Sequence, residues 1–304
     1  MNEPALVRAQ WALLSKPPAD TGDYRVLACS AGRSGFHAFE RLVRDTLFGT
    51  PPQWSSSGRP GENLPWISFG VSGDGRSSAR RVSVSVTDWR VGGADIWDSA
   101  GRRPVATRYF AVRYEDLARH GAGLAALWDA VLPVVLPPGP GDTDVPDELS
   151  LRIDTDPLPR LARLLDEDVD FGWAAATAAA ALTGPLALVA HTSRYALTRI
   201  ETMDAVAALL PYGCRAALTA ATWAPDPTAY TPWLCYTHPA DSPARLTVYE
   251  GVVPQVRGAA GRAHLDLLLR LRERSGTLAC LRALAGAVEP AALPAGSGPT
   301  GEVG

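Results

Sequence analysis

Hydrophobic positions recur with two periods in the first half of the chain, and each period predicts one kind of element. At residues 81–88 valines alternate with serine and threonine, which is typical of a half-buried strand. Residues 66–71 and 105–114 have a similar character, so the three segments predict an antiparallel sheet. The apolar run at residues 24–29 predicts a further strand, and the helical spacing that follows it predicts a helix.

The second half alternates between helical and strand-like patterns. Apolar residues at helical spacing predict two helical regions, and the second region is broken near Ser275 and Gly276. Short apolar runs between the two regions predict three strands. The helical regions are residues 198–210 and 263–288, and the strands are residues 216–223, 233–237 and 246–249.

Residues 171–190 form a stretch of 20 residues without a formal charge, which is long enough to cross a bilayer. Nine of these residues are alanine, which is only weakly hydrophobic, and Gly184 and Pro185 interrupt the run. We therefore predict a buried helix at residues 171–182, a buried strand at residues 186–190, and no membrane contact.

A proline-rich segment separates the two halves. Residues 133–146 contain five prolines and cannot form a regular element. We predict an α+β protein of two packed units, each with a mostly antiparallel sheet flanked by helices. The units are residues 1–138 and 148–289, joined by a linker at residues 139–147 and followed by a disordered tail at residues 290–304.

Charge and composition narrow the class of partner. The chain of 304 residues has a net charge of −3, so it has no overall basic field that would attract nucleic acid. Lys16 is the single lysine among 29 basic residues, which indicates the codon usage of a high-GC genome. Four widely spaced cysteines predict reduced thiols, and the acidic start has no export signal, so we expect a cytoplasmic protein.

The segment from Cys29 to Gly35 offers the clearest candidate chemistry, because it places a cysteine before a glycine loop and a helix. It resembles the signature of cysteine phosphatases, in which five residues separate the nucleophilic cysteine from the arginine. Only three residues separate Cys29 from Arg33, so the loop is too short for that arginine to reach a phosphate on the cysteine. A buried structural cysteine is the competing interpretation, and an anion held at residues 35–37 beside Arg33 is a third.

The remaining candidate groups form no complete catalytic or metal-binding set. Cys235 and His238 have a spacing that zinc sites use, but two further ligands would have to come from remote residues. Lys16 lies outside the glycine loop, so the loop lacks the lysine that a P-loop requires. We therefore predict neither a cofactor nor a metal.

Two stretches, residues 30–36 and 209–226, resemble the amino-terminal region of the bacterial GTPase-associated protein family. Members of this family are multidomain proteins of predicted NTP-dependent conflict systems. The resemblance implies a protein partner, either a small GTPase or another NTPase. It makes the Arg33 loop and residues 209–226 contact candidates, and Tyr212, Arg215 and Trp223 are the expected anchors because these residue types dominate interface energetics.

The sequence thus favours a non-enzymatic adaptor or regulatory protein that works with a partner NTPase in a bacterial conflict, defence or signalling system. The alternative is a small hydrolase or phosphatase-like enzyme with Cys29 as nucleophile and Arg33 as the second candidate catalytic residue. A competing interpretation of the anchors is structural, because Tyr212 could end a helix and Trp223 could fill the core.

Overall fold

The computed structural model describes residues 3–16, 23–49, 64–73, 80–89, 104–137, 146–190, 196–225, 232–238 and 246–293. In these ranges one ten-stranded, mostly antiparallel sheet is combined with eight α-helices, which confirms the predicted α+β class. The strands are β1 (Ala5–Ser15), β2 (Arg25–Cys29), β3 (Trp66–Ser72), β4 (Arg81–Trp89), β5 (Val105–Arg113), β6 (Leu149–Ile153), β7 (Leu186–Val189), β8 (Ala220–Ala221), β9 (Leu234–Tyr236) and β10 (Leu246–Tyr249). The helices are α1 (Phe36–Arg44), α2 (Tyr114–Arg119), α3 (Leu124–Val131), α4 (Leu158–Glu167), α5 (Phe171–Ala181), α6 (Ala196–Ala208), α7 (Ala259–Ser275) and α8 (Thr277–Ala285).

Strand β1 is the hub of the antiparallel part of the sheet. Its residues Ala9–Ser15 pair with β5 along one edge, while β2 and β6 share the other edge. The sequence patterns did not predict β1, because its second half is buried on both faces and therefore does not alternate between apolar and polar residues. They also missed β6 and α4, which lie in a stretch dominated by acidic residues.

Side chains on the two faces of β1 enter two separate cores, because successive residues of a strand point to opposite faces. Trp11 and Leu13 belong to the large core that holds α3, α5 and α6. Ala12 and Leu14 belong to a smaller core under α1, together with Tyr109 and the cysteine at the end of β2. This smaller core is what positions the loop between β2 and α1.

Strands from both halves of the chain share the single sheet, in the order β10-β7-β9-β8-β3-β4-β5-β1-β2, with β6 beside β1. Strands β7 to β10 pair with one another in parallel, so the second half contributes a parallel block. The junction between β3 and β8 consists of two residue pairs, Ser68 with Ala221 and Phe69 with Ala220. The division into two units stays a prediction, and residues 138–145 of the linker and 294–304 of the tail lie outside the described ranges.

The alanine-rich helix predicted in the second half is α5, and it is almost entirely buried against α6 and α7. Asp170 caps it by accepting a hydrogen bond from the Trp173 backbone N–H at 2.7 Å. The Trp173 indole donates to the Tyr249 carbonyl at 2.9 Å, which satisfies an acceptor at the end of strand β10. In the part of the chain that the structure describes, no helix has both the length and the apolar character that a membrane crossing requires.

The segment predicted as a strand at residues 216–223 differs from the prediction. A 3-10 helix, Tyr212–Ala216, follows α6, and only the two residues of β8 pair in the sheet. The reason is that Thr219 and Thr222 use their side chains as backbone acceptors: Thr219 accepts from the Trp233 N–H and Thr222 from the Ile67 N–H. Side-chain contacts thus replace part of the ladder that the apolar pattern predicted.

Candidate contact site

The loop between β2 and α1 is a compact, hydrogen-bonded turn. Strand β2 ends at Cys29, and a 3-10 helix, Arg33–Gly35, leads into α1. The Gly32 N–H donates to the Cys29 carbonyl and the Gly35 N–H donates to the Gly32 carbonyl, each at 3.1 Å. Gly32 has a φ of 61°, a conformation that favours glycine. The backbone of the loop is therefore held in one shape.

The Cys29 thiol faces the interior. The residue is only 1% exposed, and its Sγ donates to the Gly32 carbonyl at 3.2 Å. Burial raises the pKa of this thiol, whereas a reactive cysteine needs a lowered pKa and access to solvent. In this conformation Cys29 therefore has the properties of a structural cysteine.

Arg33 lies on the exposed side of the same loop, next to Ala31, Gly32 and Ser34. The Ser34 hydroxyl donates to the Ala31 carbonyl at 3.1 Å, which adds a side-chain contact to the backbone bonds. An exposed guanidinium on an ordered loop can meet a carboxylate or phosphate of another molecule with two parallel hydrogen bonds. The third interpretation of this segment, an anion held at residues 35–37, stays a hypothesis.

Two of the predicted anchors, Tyr212 and Arg215, lie on the 3-10 helix after α6, and both are buried. The Tyr212 hydroxyl donates to the Ala122 carbonyl at 2.7 Å, and Arg215 donates to the same carbonyl at 3.3 Å. The guanidinium lies over the Tyr212 ring, 4.7 Å from its centre. These side chains contact their own chain, so neither can anchor a partner that docks on this conformation.

Asp204 completes this cluster, and the sequence analysis did not select it. Its carboxylate lies 3.9 Å from the Arg215 guanidinium and accepts the backbone N–H groups of Leu124 and Ala125 at the start of α3, at 2.8 and 3.3 Å. Burial raises the pKa of Asp204, while Arg215 and the two amides lower it in part. The available signal was an acid placed among the apolar residues Met203, Ala205 and Val206 of α6.

A small pocket of about 20 Å³ lies beside this cluster, lined by Tyr114, Gly123, Tyr212 and Arg215 among others. Ligand pockets typically measure about 300–1,000 Å³. A pocket of this size has room for roughly one water molecule. The cluster is therefore built for internal packing and has no space for a metabolite.

Trp223, the third predicted anchor, lies where the parallel strands end. It is buried, and the Arg199 guanidinium lies 5.4 Å from the centre of its ring and 5.1 Å from the ring of Tyr236. Arg199 also donates to the Thr222 carbonyl at 2.9 Å. The Tyr236 hydroxyl in turn donates to the Glu250 carboxylate at 2.5 Å. The sequence analysis missed both Arg199 and Glu250.

This second cluster occupies a position that often binds ligands. Ligands of open α/β sheets bind outside the carboxyl ends of the parallel strands. Here Arg199, only 4% exposed, fills that position together with buried Tyr236 and Glu250. Burial lowers the pKa of Arg199 and raises the pKa of Tyr236 well above its ordinary value, so the tyrosine is a neutral donor.

Within the described ranges no further ligand joins the half-set of zinc ligands. Cys235 is buried in β9, where its Sγ lies 3.8 Å from the Leu186 carbonyl. Among the described residues, no three histidine, cysteine, aspartate or glutamate side chains come together in a way that could hold a metal ion.

A scan against protein-family models and a search of the curated proteins give no match to this chain. The resemblance to the GTPase-associated family therefore depends on the two segments at residues 30–36 and 209–226, and it stays a prediction. Of the four residues that it made contact candidates, Arg33 alone has an exposed side chain.

Proposed function

We propose that this chain is a non-enzymatic adaptor that binds a partner NTPase, in the first place a small GTPase, in a bacterial conflict or signalling system. The observation that carries this proposal is the contrast within one loop, where the Cys29 thiol is buried and Arg33 is exposed. This contrast favours recognition over thiol chemistry. The class of the partner is taken from the family resemblance.

The Arg33 loop has the physical properties of a recognition element. Its hydrogen bonds hold the backbone before binding, so little conformational entropy is lost when a partner docks. Arginine is enriched among the residues that dominate interface energies, and its planar group suits the carboxylates of a partner. Tyr212, Arg215 and Trp223 are buried and are not part of this proposed surface.

The direct test is recovery of the partner from the host cell. The tagged full-length protein is purified from its host at low ionic strength, because charge-assisted contacts weaken as salt screens them. Bound proteins are identified by mass spectrometry and released nucleotide is quantified. We expect an NTPase in stoichiometric amount with the wild type and at least a tenfold loss with Arg33→Ala.

Two control variants make this result specific. Arg262→Ala removes an exposed arginine from α7 and should leave recovery of the NTPase unchanged. Cys29→Ser should also leave it unchanged, since the thiol is internal. Equal recovery with Arg33→Ala and wild type would contradict the proposed surface. A Cys29 thiol that reacts much faster than free cysteine at pH 7 would instead support the hydrolase alternative.

A further inference from the structure

The chain continues after α8 as an irregular segment, residues 287–293, which we name the strap. The strap lies against Gly213 in the 3-10 helix that follows α6. Its first residues are exposed, whereas Leu293 is 8% exposed and belongs to the large core. The strap is thus an irregular stretch of chain with a bend at Glu289, held on the surface with one apolar side chain as its anchor.

Backbone atoms of the strap make its hydrogen bonds to the rest of the protein. The Gly213 N–H donates to the Ala287 carbonyl at 2.7 Å, and the Gly213 carbonyl accepts from the Ala291 N–H at 3.1 Å. The Tyr114 hydroxyl donates to the Val288 carbonyl at 2.7 Å. Because these bonds involve only backbone atoms of the strap, another segment with the same backbone shape can make the same bonds.

The groove beneath the strap depends on glycine. A Cβ atom added to Gly213 would overlap the Glu289 carbonyl, so only a residue without a side chain allows this close approach. The neighbouring aromatic residues are Tyr114 and Tyr212, whose rings lie 5.9 Å apart. The site thus combines backbone hydrogen bonds, which can recognise a peptide main chain, with tyrosine, a residue type enriched at interfaces.

From this geometry we infer that the strap is an internal ligand, and that a segment of the partner protein with a similar bent backbone displaces it from the Gly213 groove. The displacing segment pairs with Gly213 through its backbone and places an aliphatic side chain where Leu293 now lies. The inference takes from the proposed function only that the segment belongs to a protein partner. It assigns Tyr212 a role as a groove wall that becomes available when the strap leaves.

The test uses full-length protein and a fluorescein-labelled peptide with the sequence of residues 286–293, GAVEPAAL. In the wild type the strap competes with the peptide within the same molecule, so peptide binding is weak. Leu293→Asp places a charge in the core and should release the strap. We expect the peptide to bind this variant at least tenfold more tightly than the wild type, measured by fluorescence anisotropy.

A second substitution shows whether the peptide binds in the groove. Leu293→Asp combined with Gly213→Ala should lose the gain in peptide affinity, because the added Cβ blocks the groove for peptide and strap alike. Gly184→Ala is the matched control, since no atom lies within 4 Å of the added Cβ there. Combined with Leu293→Asp, this control should keep the gain.

Hydrogen exchange reports directly on release of the strap. In Leu293→Asp the amides of Ala291 and Gly213, which are hydrogen-bonded across the contact, should exchange at least tenfold faster, while the helix α5 amides keep their protection. Should Leu293→Asp fail to fold, Ala291→Pro removes the Ala291 N–H donor without burying a charge.

Two outcomes would overturn the inference. One is slow hydrogen exchange of the strap in the folded variant, and the other is tight peptide binding that survives Gly213→Ala. The peptide assay contains no NTPase, so its failure leaves the Arg33 proposal standing, and the reverse also holds.

Discussion

Two buried arginines, Arg215 and Arg199, have similar surroundings but connect different parts of the molecule. Each guanidinium lies close to an aromatic ring and donates to a backbone carbonyl. The Arg215 cluster joins α6 to α3, and so links the second half of the chain to the first through Asp204. The Arg199 cluster joins α6 to β8 and β9 and stays within the second half. The two arginines are thus similarly buried, but the Arg215 cluster connects residues that lie farther apart in the sequence.

The largest expected effect tests the cluster that joins the halves. Asp204→Ala removes the acceptor of two buried N–H groups and leaves the buried Arg215 charge without its carboxylate. Breaking a buried pair in this way costs about 3–5 kcal/mol of unfolding free energy. Urea unfolding followed by circular dichroism measures the loss. The exposed Asp266→Ala on α7 is the control and should change stability by less than about 0.5 kcal/mol.

A glycine beside the same cluster tests it from the side of α3. A Cβ atom added to Gly123 would overlap the Asp204 carboxylate, so Gly123→Ala should push this carboxylate away from the N–H groups at the start of α3. We expect a loss of about 1–3 kcal/mol in unfolding free energy, in the range found for overpacked cores. Gly184→Ala, which meets no atom, should stay near wild type. No loss in Gly123→Ala would show that the Asp204 carboxylate tolerates displacement, and a similar loss in both variants would mean that the loss does not come from this contact.

Matched tyrosine substitutions compare the two clusters directly. Tyr236→Phe removes a hydrogen bond to the Glu250 carboxylate, and Tyr212→Phe removes one to the neutral Ala122 carbonyl. Because hydrogen bonds to charged groups contribute more, we expect losses of about 2 and about 1 kcal/mol respectively. The measurement is urea unfolding of both variants at one pH. The reverse order would mean that the tyrosine hydrogen bond of the Arg215 cluster contributes more to the free energy of unfolding than that of the Arg199 cluster.

The smallest effect is a pH dependence that belongs to the Arg215 cluster. Since burial raises the pKa of Asp204, the folded protein holds a proton that the unfolded chain has already lost above about pH 4. Stability therefore falls as pH rises from about 4 toward the folded-state pKa. Asp204→Asn should remove a slope of at most about 1.4 kcal/mol per pH unit. Urea titrations of both proteins at several pH values between 4 and 8 measure this difference.

Much of the fold follows from local patterns, and the missed elements share a physical cause. The alternation at β4 and the alanine run of α5 are properties of single segments, and the structure has both elements. Strand β1 was missed because burial of both faces erases alternation, and β8 was predicted too long because hydroxyl groups replace ladder bonds. These outcomes depend on residues that are distant in the sequence.

The candidate contact residues were harder to predict than the elements. The patterns selected Tyr212, Arg215 and Trp223 by residue type, and they are central to the fold as buried side chains. Their location depends on Asp204 and on an aromatic cage around Arg199, which no local spacing indicates. Arg33 could be placed correctly on a loop because its glycine neighbours determine the turn.

The position of β1 has a consequence for synthesis on the ribosome. Ala5 pairs with Ile153, so the edge of this strand that binds β6 stays unpaired until the chain is 148 residues longer. At about 5–20 residues per second, that interval is roughly 7–30 s. Strands β2 and β5 are made earlier and pair with residues 9–15 of the strand, so residues 5–8 are the last to find a partner. During translation the apolar side chains around Trp11 are therefore exposed for seconds, which makes this strand a natural client for a chaperone that holds nascent chains.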